Sequence, residues 1–88
     1  MAYIYSEHRH FVFTEEGQRA LCTVLLAAYA AARVTGVVTH EQLAASYHVA
    51  DSWQKLAVVD RLVELGYLRP VSRIDSRQDW VYRWSRVA

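Results

Sequence analysis

The chain has 88 residues, enough for one domain around one hydrophobic core, and this excludes the large multi-layer enzyme folds. Hydrophobic residues make up 53% and charged residues 22%, with three glycines and one proline, which excludes global disorder, collagen-like repeats and low-complexity tracts. The formal net charge is only +1, too small for a protein that coats nucleic acid by bulk charge.

Cys22 is the one cysteine. An intramolecular disulfide is therefore impossible, and a reducing cytoplasm is the expected setting. The first ten residues carry charge early and contain no apolar signal core. The longest uncharged run, Ala20 to Ala32, lies between Arg19 and Arg33 and falls short of the roughly 20 apolar residues a bilayer span needs. No membrane partner is expected.

Tyr3, Tyr5, Phe11 and Phe13 all fall on odd positions with polar residues between them. That period of two predicts an extended N-terminal segment or short strand over 1–13. Thr14 reads as a helix N-cap, and Glu15 and Glu16 follow at the positive end of the helix dipole. Leu21, Val24, Leu25, Ala28, Tyr29 and Ala32 recur at steps of three and four. They predict a first helix over 14–35, closed by Gly36. Gly17 weakens its first turn, and Cys22, inside the apolar run, is expected to be a buried structural thiol.

Thr39-His40-Glu41-Gln42 forms a capping box that opens a short second helix over 39–47, with Leu43 and Ala44 facing inward. Ser46 to Ala50 turns the chain. Asp51, with Gln54 at the matching box position, opens a third helix over 51–65. Leu56, Val59, Leu62 and Val63 are its expected buried stripe, and Gln54, Ala57, Val58 and Arg61 its outward face. Leu65-Gly66 stops it. Tyr67 to Val71 reads as a strand that Pro70 confines to an edge or bends. Asp75 to Asp79 is polar and reads as a loop. Trp80 to Trp84 returns as a second strand, with Trp80, Tyr82 and Trp84 on one face, expected in the core, and Val81 and Arg83 on the other. The fold class is mainly α with a small β-hairpin (α+β): three helices, a two-stranded hairpin over 67–85 and the N-terminal segment.

Residues 37–68 combine a capped Thr39-x-x-Gln42-Leu43-Ala44 helix, a short turn ending at Val49, and a second capped helix. That helix closes in Leu62-x-Glu64-Leu65-Gly66-Tyr67-Leu68. This segment resembles a winged helix-turn-helix, and the hairpin that follows is similar to the wing of multiple-antibiotic-resistance regulator (MarR) type proteins. The resemblance covers about Thr14 to Ser85. It implies a DNA-binding transcription regulator whose third helix enters the major groove and whose wing arginines touch the backbone or the minor groove. MarR-type regulators carry further helices after the wing for dimerisation. With Ala88 as the last residue here, a homodimer contact is expected from the N-terminal segment, the first helix or the last strand.

The charge distribution bears on that implication. Residues 1–50 sum to −1, with Arg9, Arg19 and Arg33 against Glu7, Glu15, Glu16 and Glu41. Residues 69–88 sum to +3, with Arg69, Arg73, Arg77, Arg83 and Arg86 against Asp75 and Asp79. Arginine's planar fork suits phosphate and guanine edges. The candidate DNA-binding residues are Thr39, which orients the second helix; Ser52, Trp53, Gln54, Lys55 and Arg61 on the third; and Arg73 and Arg77 on the hairpin. Each has a plainer alternative. Trp53 can be half-covered core, and the rest can be ordinary solvated surface.

His8 and His10 would share one strand face, but no spacing links them to further zinc ligands. No metal or cofactor is expected. No nucleophile–base pair, glycine-rich phosphate loop or carboxylate pair stands out, so the protein is expected not to be an enzyme. The competing expectation is a winged-helix module that binds a protein, such as a phage or accessory protein docking on a larger complex. It rests on the mixed apolar and acidic surroundings of the third helix, where Ala57, Val58, Asp51 and Asp60 stand.

Overall fold

The computed structural model describes residues 2–48, 51–73 and 76–85. Among them are a short helix α1 (Tyr5–His8), a 3-10 turn (Arg9–Phe13) and a long helix α2 (Glu15–Thr35). Strand β1 (Val37–Thr39) runs directly into α3 (His40–Ala45), and α4 (Ser52–Glu64) follows. Strands β2 (Leu68–Ser72) and β3 (Val81–Trp84) flank a 3-10 turn (Arg77–Asp79). The fold is mainly helical with a small antiparallel sheet, and no helix among the described residues is long and apolar enough to cross a membrane.

Local chemistry sets the helix boundaries. The Thr14 hydroxyl accepts from the Gly17 amide and starts α2. Gly36 ends it in the left-handed region at φ 83°, with its N–H on the Ala32 carbonyl. Both expected capping boxes are complete. Thr39 Oγ1 accepts from Gln42 N at 3.2 Å while Gln42 Oε1 accepts from Thr39 N at 2.9 Å. Asp51 Oδ1 accepts from Gln54 N at 2.8 Å while Gln54 Oε1 accepts from Asp51 N at 3.0 Å. Each cap contributes about 1 kcal/mol to its helix. The expected turn at Val49 and Ala50 and the hairpin residue Asp75 lie outside the described residues.

The sheet has three strands in the order β1-β3-β2, so the return strand is central and Pro70 sits on an edge. Pro70 lies opposite Tyr82 and Ser72 opposite Val81, leaving a bulge at Val71. An edge with a bulge is where a residue without an N–H fits. β1 was not anticipated. Its three residues lie between a helix C-cap and an N-cap, and the strand they pair with comes more than forty residues later, with Val38 opposite Tyr82.

The core joins Val24 and Ala28 of α2, Leu43 of α3, Val59 and Leu62 of α4, and Val38, Leu68 and Tyr82 of the sheet. Tyr82 is the largest fully buried side chain. Trp80 and Trp84 are half-buried against this core. Trp84 lies edge-on to Tyr29 at 5.3 Å, closing the sheet against α2.

Three expectations are corrected here. The N-terminal segment is helical, not extended. Residues Tyr5–His8 and Arg9–Phe13 form helical turns, and Phe11 and Val12 are both buried, which a strand with one face to solvent cannot achieve. The segment is held by Gln18 Nε2 donating to the Val12 carbonyl at 2.5 Å and by the Tyr3 and Tyr5 hydroxyls donating to Asp60 and Glu64, one turn apart on α4. This covering explains the second correction. Ala57 and Val58, expected outward, are 0% and 1% exposed, because α4 is enclosed by α2, α3, the sheet and the N-terminal segment. Third, Cys22 is exposed on α2.

Gly17 is buried for a reason the sequence did not disclose. A Cβ there would penetrate the Phe11 carbonyl oxygen and stand 2.9 Å from Val12 Cα. The 3-10 turn can cross α2 this closely only over a glycine.

Candidate nucleic-acid interface

Four of the expected site residues stand together on the first turn of α4. Ser52 is exposed, and Trp53, Gln54 and Lys55 are half-exposed. Gln54's carbonyl oxygen is committed to the cap, so its amide N–H₂ is what it offers outward. Trp53 meets the His8 ring edge-on at 4.7 Å, which makes it half-covered packing. Thr39 ends β1 and caps α3, its hydroxyl occupied by that cap. The His40 amide donates to the Trp80 carbonyl at 2.9 Å and fastens the start of α3 to the start of β3.

Beside this turn a groove of about 350 Å³ separates α3 and α4 from the second 3-10 turn, lined by His40, Glu41, Ala44, Ser52, Lys55 and Gln78, among others. His40 is 4% exposed and Nδ1 has no hydrogen-bond partner among the described residues. Burial, aided by the Arg77 charge, lowers its pKa to about 4. The ring is neutral at pH 7.

Arg77 and Arg61, both expected on DNA, are used inside the fold. Arg77 Nη2 donates to Asp60 Oδ1 at 2.5 Å and Nε to the Tyr82 hydroxyl at 3.1 Å, and the guanidinium lies 4.5 Å from the Trp80 ring centroid. It ties the hairpin to α4. Tyr3 donates to the other Asp60 oxygen at 2.7 Å. Burial and that bond raise the Tyr3 pKa well above the usual phenol value. Arg61 donates to Glu64 at 2.6 Å and lies over the Phe13 ring. Glu64 also receives Arg9 and the Tyr5 hydroxyl. Arg61, followed by the Tyr5 and Arg9 bonds, holds its carboxyl below the usual range, and burial with the Glu64 bond pushes Tyr5 up to about 12. The partners joining Asp60 to Arg77 and Tyr3, and Glu64 to Tyr5 and Arg9, were invisible in the sequence because they lie 17 to 59 residues apart, whereas Arg61 and Glu64 are a local i,i+3 pair on α4.

Arg73 is exposed and its guanidinium lies 5.7 Å from the Trp80 ring centroid. Two further arginines escaped the site prediction. Arg69 and Arg83 are direct cross-strand partners, both exposed on the outer face of the sheet. Like charges opposite one another destabilise a sheet, and neither forms an ion pair with any described residue. The alternation within β2 and β3 was the available signal, but it needed the register of a hairpin whose turn length the sequence does not specify.

The internal pairings change the electrostatics. Asp60 and Glu64 are neutralised by Arg77, Arg61 and Arg9. Among the described residues of α4 and the hairpin, Lys55, Arg69, Arg73 and Arg83 remain outside any ion pair. Besides Glu64, the exposed carboxylates nearby in sequence among the described residues are Glu41, Asp51 and Asp79. Asp51 is occupied as a cap and Asp79 accepts from the Ser76 hydroxyl.

No group of three or more metal-ligating side chains forms among the described residues. With the N-terminal segment helical, His8 and His10 no longer share a strand face. Comparison with protein-family models, with curated proteins and with solved structures finds no match to this chain.

Proposed function

We propose that the chain is a winged helix-turn-helix DNA-binding protein of the cytoplasm, acting in transcription regulation by binding and not by catalysis. α3 and α4 are its helix-turn-helix and β2–β3 its wing. The first turn of α4 enters the major groove, where Ser52, the Gln54 amide and Lys55 reach base edges or phosphates. Arg73, Arg69 and Arg83 follow onto the adjacent phosphate backbone from the hairpin. The observation that carries this reading is the charge sorting. The carboxylates in the body of α4 are paired with arginines, Asp60 part-buried on Arg77 and Glu64 at the surface on Arg9 and Arg61, so a chain of net charge +1 turns mostly cations outward on the hairpin. Arg77 and Arg61 are positioning residues here, holding the hairpin and the N-terminal segment on α4.

A second reading, docking on a protein partner with little DNA binding, is favoured by Ile4 and Phe13, which are 51% and 54% exposed beside α4. Fluorescence anisotropy on a random-sequence duplex at 50 mM salt separates the two. Binding that weakens with salt and with Lys55→Ala or Arg73→Ala supports DNA recognition. No binding at 50 mM salt refutes it and leaves the protein-docking reading.

A further inference from the structure

The outer face of α2 has no part in the function above. The helix has 21 residues and is about 30 Å long. Its inner face carries Val24 and Ala28 into the core, while Leu26, Tyr29 and Val34 are 63%, 37% and 84% exposed. Cys22 and Arg33 are exposed beside them. Cys22, Leu26 and Tyr29 lie along one side of the helix, with Val34 off that line, and exposed apolar surface of this kind marks an interaction site.

The pattern specifies what covers it. Glu15, Arg19, Cys22, Leu26, Tyr29 and Arg33 follow one another at steps of four and three, the seam spacing of paired helices. In an antiparallel pair about a two-fold axis, each layer joins residues whose numbers have a constant sum. Setting Cys22 against Leu26 of a second copy then sets Arg19 against Tyr29 and Glu15 against Arg33. Every layer is complementary: apolar on apolar, guanidinium on ring, carboxylate on guanidinium. Arg33 already lies over its own Tyr29 at 5.6 Å, and Arg19 already meets its own Glu15 at 2.8 Å, so these groups favour such partners. Placing Leu26 on Leu26 instead would oppose Arg19 with Arg33, and a parallel pair would stack each arginine on itself.

We infer that α2 is a homodimer interface, pairing antiparallel with α2 of a second copy through Cys22–Leu26, Arg19–Tyr29 and Glu15–Arg33 layers. One helix seam buries less than the roughly 1,200–2,000 Å² of a standard interface. The dimer is therefore weak, with a dissociation constant on the order of tens of micromolar. The pairing holds whether or not the hairpin binds DNA, and its readout is the oligomeric state alone.

The test is sedimentation equilibrium of the full chain without DNA, from 10 μM to 1 mM. The wild type is expected to approach twice the 10.2 kDa chain mass at the upper end. Leu26→Glu, at an exposed site, is expected to stay monomeric with unchanged helical circular dichroism. Glu15→Arg and Arg33→Glu are each expected to weaken association at least fivefold, and the double swap to restore it to within about twofold. The Cys22 thiol is expected to react more slowly with a maleimide as the dimer fills. A wild type monomeric at 1 mM, a Leu26→Glu protein that dimerises normally, or a double swap as weak as either single change overturns the inference.

Discussion

Replacing Asp60 by Asn probes the junction that holds the hairpin on α4. The substitution keeps the shape and one acceptor for Tyr3 or Arg77, and removes the charge. Asp60 and Arg77 are each 22% exposed at the side chain and 2.5 Å apart. A charge-assisted hydrogen bond contributes about 1.5–3 kcal/mol against about 1 for a neutral one. Stripping the partner from a fully buried cation costs about 3–5 kcal/mol. Discounting for the partial exposure, Asp60→Asn is expected to cost about 2 kcal/mol. For a domain of this size that lowers Tm by about 8–16 °C, and the urea midpoint falls by about 1–2 M at unchanged slope. Arg77→Met is expected to cost a similar amount. The double variant is expected to cost less than the sum by at least about 1 kcal/mol, because neither charge is left alone. A loss below about 0.5 kcal/mol for Asp60→Asn, or strict additivity in the double variant, would refute the reasoning.

Other outcomes follow from the same structure. His40 is neutral in the folded state down to about pH 4, against 6.5 unfolded. The unfolded chain therefore binds a proton that the folded one refuses. Stability is full above pH 6.5 and declines as pH falls towards 4, by about 3 kcal/mol in total. His40→Phe is expected to flatten that part of a urea-midpoint profile, and an unchanged profile would contradict the assignment to His40. Gly17→Ala gains about 1 kcal/mol in helix propensity but drives a methyl into the Phe11 carbonyl. A net loss of about 2 kcal/mol in thermal unfolding is expected, and a stabilised protein would mean the 3-10 turn does not cross there. Arg77→Ala is expected to lower stability while leaving the salt slope of DNA binding unchanged. Arg73→Ala is expected to leave stability unchanged and reduce that slope by about 0.9.

The helices were legible because their signals are local. Thr14, Thr39 and Asp51 cap within three residues of themselves, and Gly36 stops α2 by its own conformation. Pro70 announced an edge strand for a reason that holds in any sheet. What failed was non-local. The N-terminal aromatics alternate like a strand, yet Phe11 and Val12 are buried together because a glycine six residues past Phe11 lets the turn cross α2. β1 has too few residues to show a period. Cys22 sits in an apolar run, but a helix of this length keeps one face outward, and nothing in the run says which. Among the candidate site residues, Ser52, Gln54 and Lys55 stand where the third-helix pattern put them. Arg77 looked like a free surface cation because Asp60 meets it only after folding, whereas the Glu64 partner of Arg61 stands three residues on in the same helix and was legible as an i,i+3 pair. Arg69 and Arg83 were overlooked because their opposition depends on strand register.

In the proposed function the cations left over on α4 and the hairpin bind phosphate. The most direct test is the salt dependence of anisotropy-monitored duplex binding between 50 and 200 mM, for the wild type and for Lys55→Ala/Arg73→Ala/Arg83→Ala. With about four phosphate contacts, the expected slope of log affinity against log salt is about −3.6, an affinity loss of about 150-fold across that range. The triple variant, its circular dichroism unchanged, is expected to fall to a slope of about −1. A wild-type slope near zero, or a triple variant that keeps the wild-type slope, would contradict the account.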